Sequence, residues 1–268
     1  MNYHTIFDKL WQVYTAQNPA VKKVYDLLSA EGETIINDHV AFRTFDHQQI
    51  NIKVLSEEFL QSGYIYKGDY HFPEKKLYAK HFEHKHDSLA PRVFISQLVT
   101  SEFSPFVQKT LRDWTDAIPP GQRQSPGLIY SGRLSGLPSF EVCEKLRKES
   151  EYAAWLYVNG FCANHFTVSV NYLKKYDSLE KVNAFLKQNG FSMNDAGGEI
   201  QGSPGELLEQ SSIRAGMVRT QFLEGFYEVP GCYYEFAKRY PGKDGKLYSG
   251  FIARSADKIF QSTDFYKQ

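Results

Sequence analysis

The sequence is poor in cysteine, with 3 among 268 residues. Cys143, Cys162 and Cys232 are odd in number and far apart, which argues against a disulfide framework and for a reducing compartment, the cytoplasm. Charge of one sign is not in excess: 31 basic residues balance 31 acidic ones along the chain. With no basic stripe to neutralise a phosphate backbone, nucleic acid is excluded as a partner. Long apolar runs are also missing. Nothing approaches the roughly eighteen apolar residues that a membrane span needs, so no membrane is expected. Residues 1–17 mix Asp8 and Lys9 into their apolar pattern, unlike a signal peptide or an anchor. What is present is 42% hydrophobic content, over a length suited to one domain or two intimately packed modules. We expect a single domain over 1–268.

Two stretches resemble each other. Asn37-Asp38-His39-Val40-Ala41-Phe42-Arg43-Thr44 and Ala163-Asn164-His165-Phe166-Thr167-Val168-Ser169-Val170 both read as strands with a histidine near the start. Each precedes a helical pattern with apolar residues spaced by three and four: Ile52, Leu55, Phe59 and Leu60, then Leu179, Val182, Phe185 and Leu186. Both patterns stop at a glycine, Gly63 or Gly190, as helix C-termini commonly do. Phe59 lies as far beyond His39 as Phe185 lies beyond His165, so the repeat keeps register. Strands are expected at 64–70, 77–82 and 92–98 in the first half and at 207–213, 219–226 and 233–238 in the second.

The predicted fold is therefore α+β: duplicated β-α-β-β-β modules, about 31–100 and about 160–240, forming a curved mixed sheet around a metal-containing cavity. The glycine-, proline- and serine-rich stretch 116–138 is the expected connecting loop. Helices at 6–17, 20–29 and 139–157 fall outside the repeat and should cover sheet faces or edges.

Strand side chains alternate, so His39, Ala41 and Arg43 share one face, as do His165, Thr167 and Ser169. Their apolar neighbours belong against the helices. The remaining face is small, polar and charged, and burying such groups without partners costs several kcal/mol each, on the order of 2–7. A ligand in a cavity would satisfy them. A pseudo-twofold relation between the modules would bring the histidines together, and Glu235, in the run Gly231-Cys232-Tyr233-Tyr234-Glu235, could add a carboxylate. Two histidines and one carboxylate are the facial set that holds iron(II) with positions left open. The same set binds zinc, and nickel or another divalent ion is an alternative occupant. Arg43, two inward positions from His39, offers a planar fork suited to a substrate carboxylate; Ser169, on the same face as His165, is a second substrate-contacting candidate.

At these residues the chain resembles the 2-oxoadipate dioxygenase/decarboxylase family, formerly a family of unknown function and related in fold to the vicinal oxygen chelate superfamily. The matching stretches are residues 37–44, Ala163-Asn164-His165-Phe166-Thr167, Gly197-Gly198-Glu199-Ile200-Gln201-Gly202-Ser203, Leu208-Glu209-Gln210-Ser211-Ser212 and Tyr234-Glu235 after Val229-Pro230-Gly231. The resemblance implies an iron(II) enzyme of lysine catabolism that takes a 2-oxo acid and oxygen to a 2-hydroxy acid and carbon dioxide, 2-oxoadipate giving 2-hydroxyglutarate. It implies His39, His165 and Glu235 as catalytic metal ligands and Arg43 as the substrate-carboxylate arginine. Longer bacterial members carry further sequence that closes over the substrate; here residues 247–268 are the candidate cap.

Other features have plainer explanations. His81, His84 and His86 sit among lysines that oppose a cation, and are expected at a solvated strand end, with His81 able to reach the cavity if the strand continues. Cys162 is expected to be a small buried residue and not a nucleophile. The glycine-rich run 197–205 has no lysine after its last glycine and so is no phosphate loop; a turn or a lid is expected. Two other function classes stand beside the oxygenase: a metal-dependent hydrolase, lyase or isomerase on the same scaffold, and a non-catalytic metabolite-binding protein. The sequence leaves the oligomeric state open.

Overall fold

Burial on both faces of two strands, at 37–45 and 163–169, sets the architecture. In the computed structural model, which describes residues 2–252, strands β1 (Asn37–Phe45), β2 (Tyr64–Phe72), β3 (Leu77–His84), β4 (Arg92–Leu98), β5 (Ala163–Ser169), β6 (Gln201–Ser203) and β7 (Leu208–Ser212) precede a hairpin, β8 (Met217–Phe222) and β9 (Gly225–Pro230), and a last strand, β10 (Tyr233–Arg239). Eight of them form one mixed sheet in the order β2-β3-β4-β1-β5-β10-β7-β6. The order is a palindrome about β1 and β5: β4 answers β10, β3 answers β7, and β2 answers β6. β1 runs parallel to β4 and β5 parallel to β10, while β1 and β5 meet antiparallel along the seam, His39 beside Thr167 and Ala41 beside His165.

The helices lie where the apolar faces need cover. α1 (Tyr3–Gln17) and α2 (Pro19–Ala30) precede the first module. Trp11 and Tyr14 of α1 pack on Phe166 with ring centroids 5.0 Å apart in each case, and the Tyr14 hydroxyl donates to the Tyr233 carbonyl. Phe166 is fully buried there, and truncating such a side chain costs about 3–5 kcal/mol. α3 (Ile52–Gln61) covers the outer face of the first module, Phe59 meeting Phe42 at 5.5 Å. Asn51 caps its first turn by accepting from the Val54 amide. α4 (Pro105–Asp116) and the short α5 (Pro120–Arg123) lead into the intermodule segment. α6 (Phe140–Glu149) and α7 (Glu151–Asn159) follow, and α8 (Leu179–Gln188) repeats α3 in the second module, capped by Ser178.

Five expectations need correction. The segment 219–226 is not one strand: it turns at Leu223-Glu224 into the β8–β9 hairpin, which stands apart from the main sheet. Of the run 197–205, expected as a turn or a lid, Gly197 lies in a turn but residues 201–203 form the edge strand β6, and a Cβ at Gly202 would fall 2.1 Å from the Leu208 carbonyl oxygen. Glycine is what lets that edge close, because L residues avoid its φ of +85°. The helix expected at 139–157 is two helices, broken at Ser150, whose hydroxyl caps α7 by accepting from Ala153. The loop expected at 116–138 holds α5 and a 3-10 turn at Pro126–Tyr130. The histidine run is a solvated strand end only in part: Lys85 and His86 are exposed beyond the end of β3, but His84 is half-buried against Tyr64 with centroids 5.4 Å apart, and the strand continues far enough for His81 to be buried on the inner face.

Candidate metal centre

The palindrome turns one face of β1, β5 and β10 inward along the seam, and the predicted histidines meet there. His39, His165 and Glu235 each offer a ligand atom, all within 4.8 Å of one another. The three are buried. His39 Nε2 lies 3.3 Å from Glu235 Oε1 and His165 Nε2 3.4 Å from Glu235 Oε2, with the two Nε2 atoms 3.4 Å apart. Among the described residues this is the one grouping of three or more metal-ligating side chains.

Each imidazole is held from behind. Asp38 Oδ1 lies 2.8 Å from His39 Nδ1, and Asn164 Oδ1 3.1 Å from His165 Nδ1. An acceptor at Nδ1 fixes the proton there and turns the Nε2 lone pair toward the centre, the arrangement metal-binding histidines use. Gln210 donates to Glu235 Oε1 at 2.7 Å, orienting the carboxylate from the neighbouring strand. Two imidazole Nε2 atoms and a carboxylate thus converge in a buried site, with the Thr167 hydroxyl 3.1 Å from His39 Nε2. That donor chemistry fits a divalent cation.

The electrostatics agree. Burial disfavours charge on His165, and together with His39 and Arg43 it outweighs the pull of Glu235, taking the imidazole down to about 3. At His39, burial is overcome by Glu235 and Asp38, and the imidazole is raised. Burial raises Glu235, but both histidines and Gln210 outweigh it and hold the carboxyl low. Asp38 is held well below the ordinary carboxylate range against the cost of burial, chiefly by Arg239 and then by His39 and Arg92.

Arg43 lies further along β1, beyond Ala41 on the inner face. Its guanidinium carbon sits 4.9 Å from the ring centroids of both Tyr152 and Trp155 on α7, and its Nη1 is 3.5 Å from Glu151 Oε1. α7 is the helix that reaches into the curl of the sheet: the Tyr152 hydroxyl donates to the Ser96 carbonyl at 2.7 Å and accepts from the Thr44 amide at 3.0 Å. Tyr233, fully buried on the same face, stacks on His165 at 4.7 Å, and its hydroxyl has no hydrogen-bond partner among the described residues. An orphaned phenol beside the triad is what a small polar ligand would satisfy.

On the far side of His39, Phe251 closes the inner face. Its ring meets His39 and Phe94 at 4.8 Å each, and its amide donates to the Tyr70 hydroxyl at 3.1 Å. Of the expected cap at 247–268, residues 253–268 lie outside the described part of the structure. Ser169 stands apart from the triad: with Asp38, Arg92, Arg239 and Glu83 it lines a cleft of about 680 Å³ behind His39. His81 reaches the inner face, hydrogen-bonded to Tyr70 at 2.9 Å and Glu83 at 3.2 Å. Cys162 is a buried thiol raised to about 12 by burial, unsuited to nucleophilic attack.

Sequence reasoning missed Asp38, Asn164, Gln210, Arg239 and Phe251. A signal existed for the first two, which precede the two histidines at matching repeat positions. Arg239, a charge at a strand end, looks like any exposed arginine.

Comparison with known proteins extends this picture. A rice protein, the chloroplastic/amyloplastic 2-oxoadipate dioxygenase/decarboxylase of Oryza sativa subsp. japonica, is 35% identical over 97% of this chain and 78% of its own length. The crystal structure of hydroxyglutarate synthase from Oryza sativa in complex with 2-oxoadipate superposes with a TM-score of 0.92 at 33% identity, covering 98% of this chain and 92% of that one. A Shewanella frigidimarina NCIMB 400 protein, solved as a candidate hydrolase, superposes at 0.88 with 47% identity over 93% of this chain and 97% of its own. The fold alone is shared with a glyoxalase-superfamily protein of Ralstonia eutropha JMP134, at a TM-score of 0.72 and 21% identity over 90% and 83% of the two chains. The profile of the 2-oxoadipate dioxygenase/decarboxylase family matches residues 2–119 and 130–246. The chain belongs to that family.

Proposed function

We propose that this chain is an iron(II)-dependent dioxygenase and decarboxylase that converts a 2-oxo dicarboxylic acid, 2-oxoadipate, and oxygen to 2-hydroxyglutarate and carbon dioxide. The observation that carries the proposal is the buried convergence of His39, His165 and Glu235, with Arg43 further along the strand that bears His39. These three residues would hold the metal; iron(II), when bound there, would supply the electron transfer that lets a closed-shell organic acid react with dioxygen. Zinc or nickel would fit the same donors.

The protein's own groups do the rest. Asp38, Asn164 and Gln210 fix the ligands in the orientation that binding needs. Arg43, its plane set by the rings of Tyr152 and Trp155, binds a substrate carboxylate with two parallel donors. Phe251, Phe94 and Tyr70 keep bulk water from the inner face beside His39. Three buried free thiols suit a reducing compartment, and we assign the reaction to the cytoplasm and to lysine breakdown. A metal-assisted hydrolase is the second possibility, favoured by the description of the Shewanella relative.

Oxygen uptake decides between them. Protein loaded with iron(II) without air is given 2-oxoadipate and then oxygen, with carbon dioxide and 2-hydroxyglutarate measured in the same vessel. One dioxygen consumed per carbon dioxide released balances the equation with no second reductant, and is the expected result. No uptake by metal-loaded protein, with hydrolysis of another substrate, would replace the oxygenase with the hydrolase. Arg43→Ala is expected to keep its metal and lose turnover of the acid; unchanged KM would remove Arg43 from substrate binding.

A further inference from the structure

Arg239 is a buried guanidinium with every arm committed. Nε and Nη2 fork onto the two oxygens of Asp38 at 2.7 and 2.8 Å, and Asp38 in turn holds His39 Nδ1. The remaining arm, Nη1, points the opposite way and donates to the carbonyls of Tyr248 and Gly250 at 2.9 and 2.8 Å. The next residue, Phe251, lays its ring edge-on against His39 and across the Arg239 guanidinium, 5.3 Å from its carbon, and its amide is tied to Tyr70. One residue therefore joins the segment 248–251 to the carboxylate that orients a candidate metal ligand.

We infer that Arg239 is a positioning residue that couples the seating of segment 248–251 over the inner face to the orientation of His39, so that metal binding and closure of this segment reinforce each other. The inference rests on the triad holding a divalent metal. Its physical basis is rigidity: a bidentate arginine–carboxylate pair has fixed geometry, so a shift in either set of partners is passed to the other. A coupling between two sites is reciprocal, and whatever factor metal lends to closure, closure lends to metal affinity. A Lys at this position would keep a charge beside Asp38 but, with a single point of attachment, would lose the rigid connection to the two carbonyls.

Cobalt(II) serves as the probe, read by its visible ligand-field bands, alongside hydrogen exchange in the peptide spanning 247–252. In the wild type, cobalt is expected to slow exchange in that peptide. Tyr70→Phe, which removes the hydroxyl tying Phe251 together with its bond to His81 and leaves the triad and Asp38 untouched, is expected to speed exchange and to weaken cobalt by no more than the factor by which it weakens closure. Arg239→Gln is expected to weaken cobalt about 10–100-fold and to shift its bands, as loss of outer-shell support does. In Arg239→Lys cobalt binding returns in part, while its effect on exchange in the segment stays lost. Cobalt bound by the wild type with no change in exchange overturns the coupling and leaves the metal site standing. No cobalt bands at all overturn the metal site and the coupling with it. Faster exchange in Tyr70→Phe that bound cobalt leaves unslowed also overturns the coupling, and does so in a variant that keeps every contact of the triad and of Asp38.

Discussion

The two modules put a histidine at the same place in the same strand and then support it differently. In the first, His39 leans on a carboxylate, Asp38, which is itself neutralised by Arg239 and approached by Arg92 at 3.5 Å. In the second, His165 leans on an amide, Asn164, with no such charged chain behind it among the described residues. Asp and Asn have nearly the same shape, so the repeat preserves geometry while the electrostatics diverge. A second buried carboxylate would need its own cation or would lose its charge. The duplicated scaffold thus positions two similar ligands, and the residue before each histidine sets how strongly it holds a proton or a metal.

The widest break is to remove the ligands. His39→Ala, His165→Ala and Glu235→Ala are each expected to abolish retention of stoichiometric metal, measured by elemental analysis after gel filtration; retention by all three would end the assignment of the site. Next comes making the modules alike. Asp38→Asn strands the Arg239 fork against an amide, with an expected loss of about 3–5 kcal/mol of stability and about 10–100-fold of metal affinity. Asn164→Ala, in the other module, removes one neutral hydrogen bond and should cost only about 1–3 kcal/mol. Equal losses in denaturant titrations of the two variants would mean that the charge on Asp38 contributes nothing.

The finest test is titration of the metal-free protein. His165, depressed to about 3, stabilises the fold above the ordinary imidazole value of about 6.5, and that contribution is lost as pH falls toward its folded value. His39, raised, acts in the opposite sense: its contribution is full below the ordinary value and is lost as pH rises through the raised one. At pH near 5, NMR of the ring nitrogens should find His39 carrying two protons and His165 one. Titration of both rings together would erase the distinction between the modules.

The duplication was legible because its period survives in apolar residues that the core requires: counted from the helix starts, buried Ile52, Leu55 and Phe59 match buried Leu179, Val182 and Leu186, so the expected pairing of Phe59 with Phe185 is one residue out and Leu60 is left exposed. The three converging side chains followed from alternation along strands plus the pseudo-twofold. What escaped notice had no period. The β8–β9 hairpin keeps an alternating pattern through its turn, with Leu223-Glu224 in place of a strong turn pair, so it passes for one strand. α4 is amphipathic, with Val107, Leu111 and Trp114 buried and Ser104 as its cap, but it lies outside the repeat that guided the eye. Arg239 and Phe251 act through partners distant in sequence, Asp38 and His39, and no local pattern encodes such contacts.

The palindromic sheet has a consequence for the history and assembly of this protein. Because β1 of one half and β5 and β10 of the other supply the three converging side chains, neither half owns a site. An ancestor with a single module would have assembled one only between two copies, seam to seam. Joining the copies in one chain freed each to change separately, and an aspartate behind one histidine opposite an asparagine behind the other is the kind of inequality that a symmetric pair of identical subunits is unable to hold.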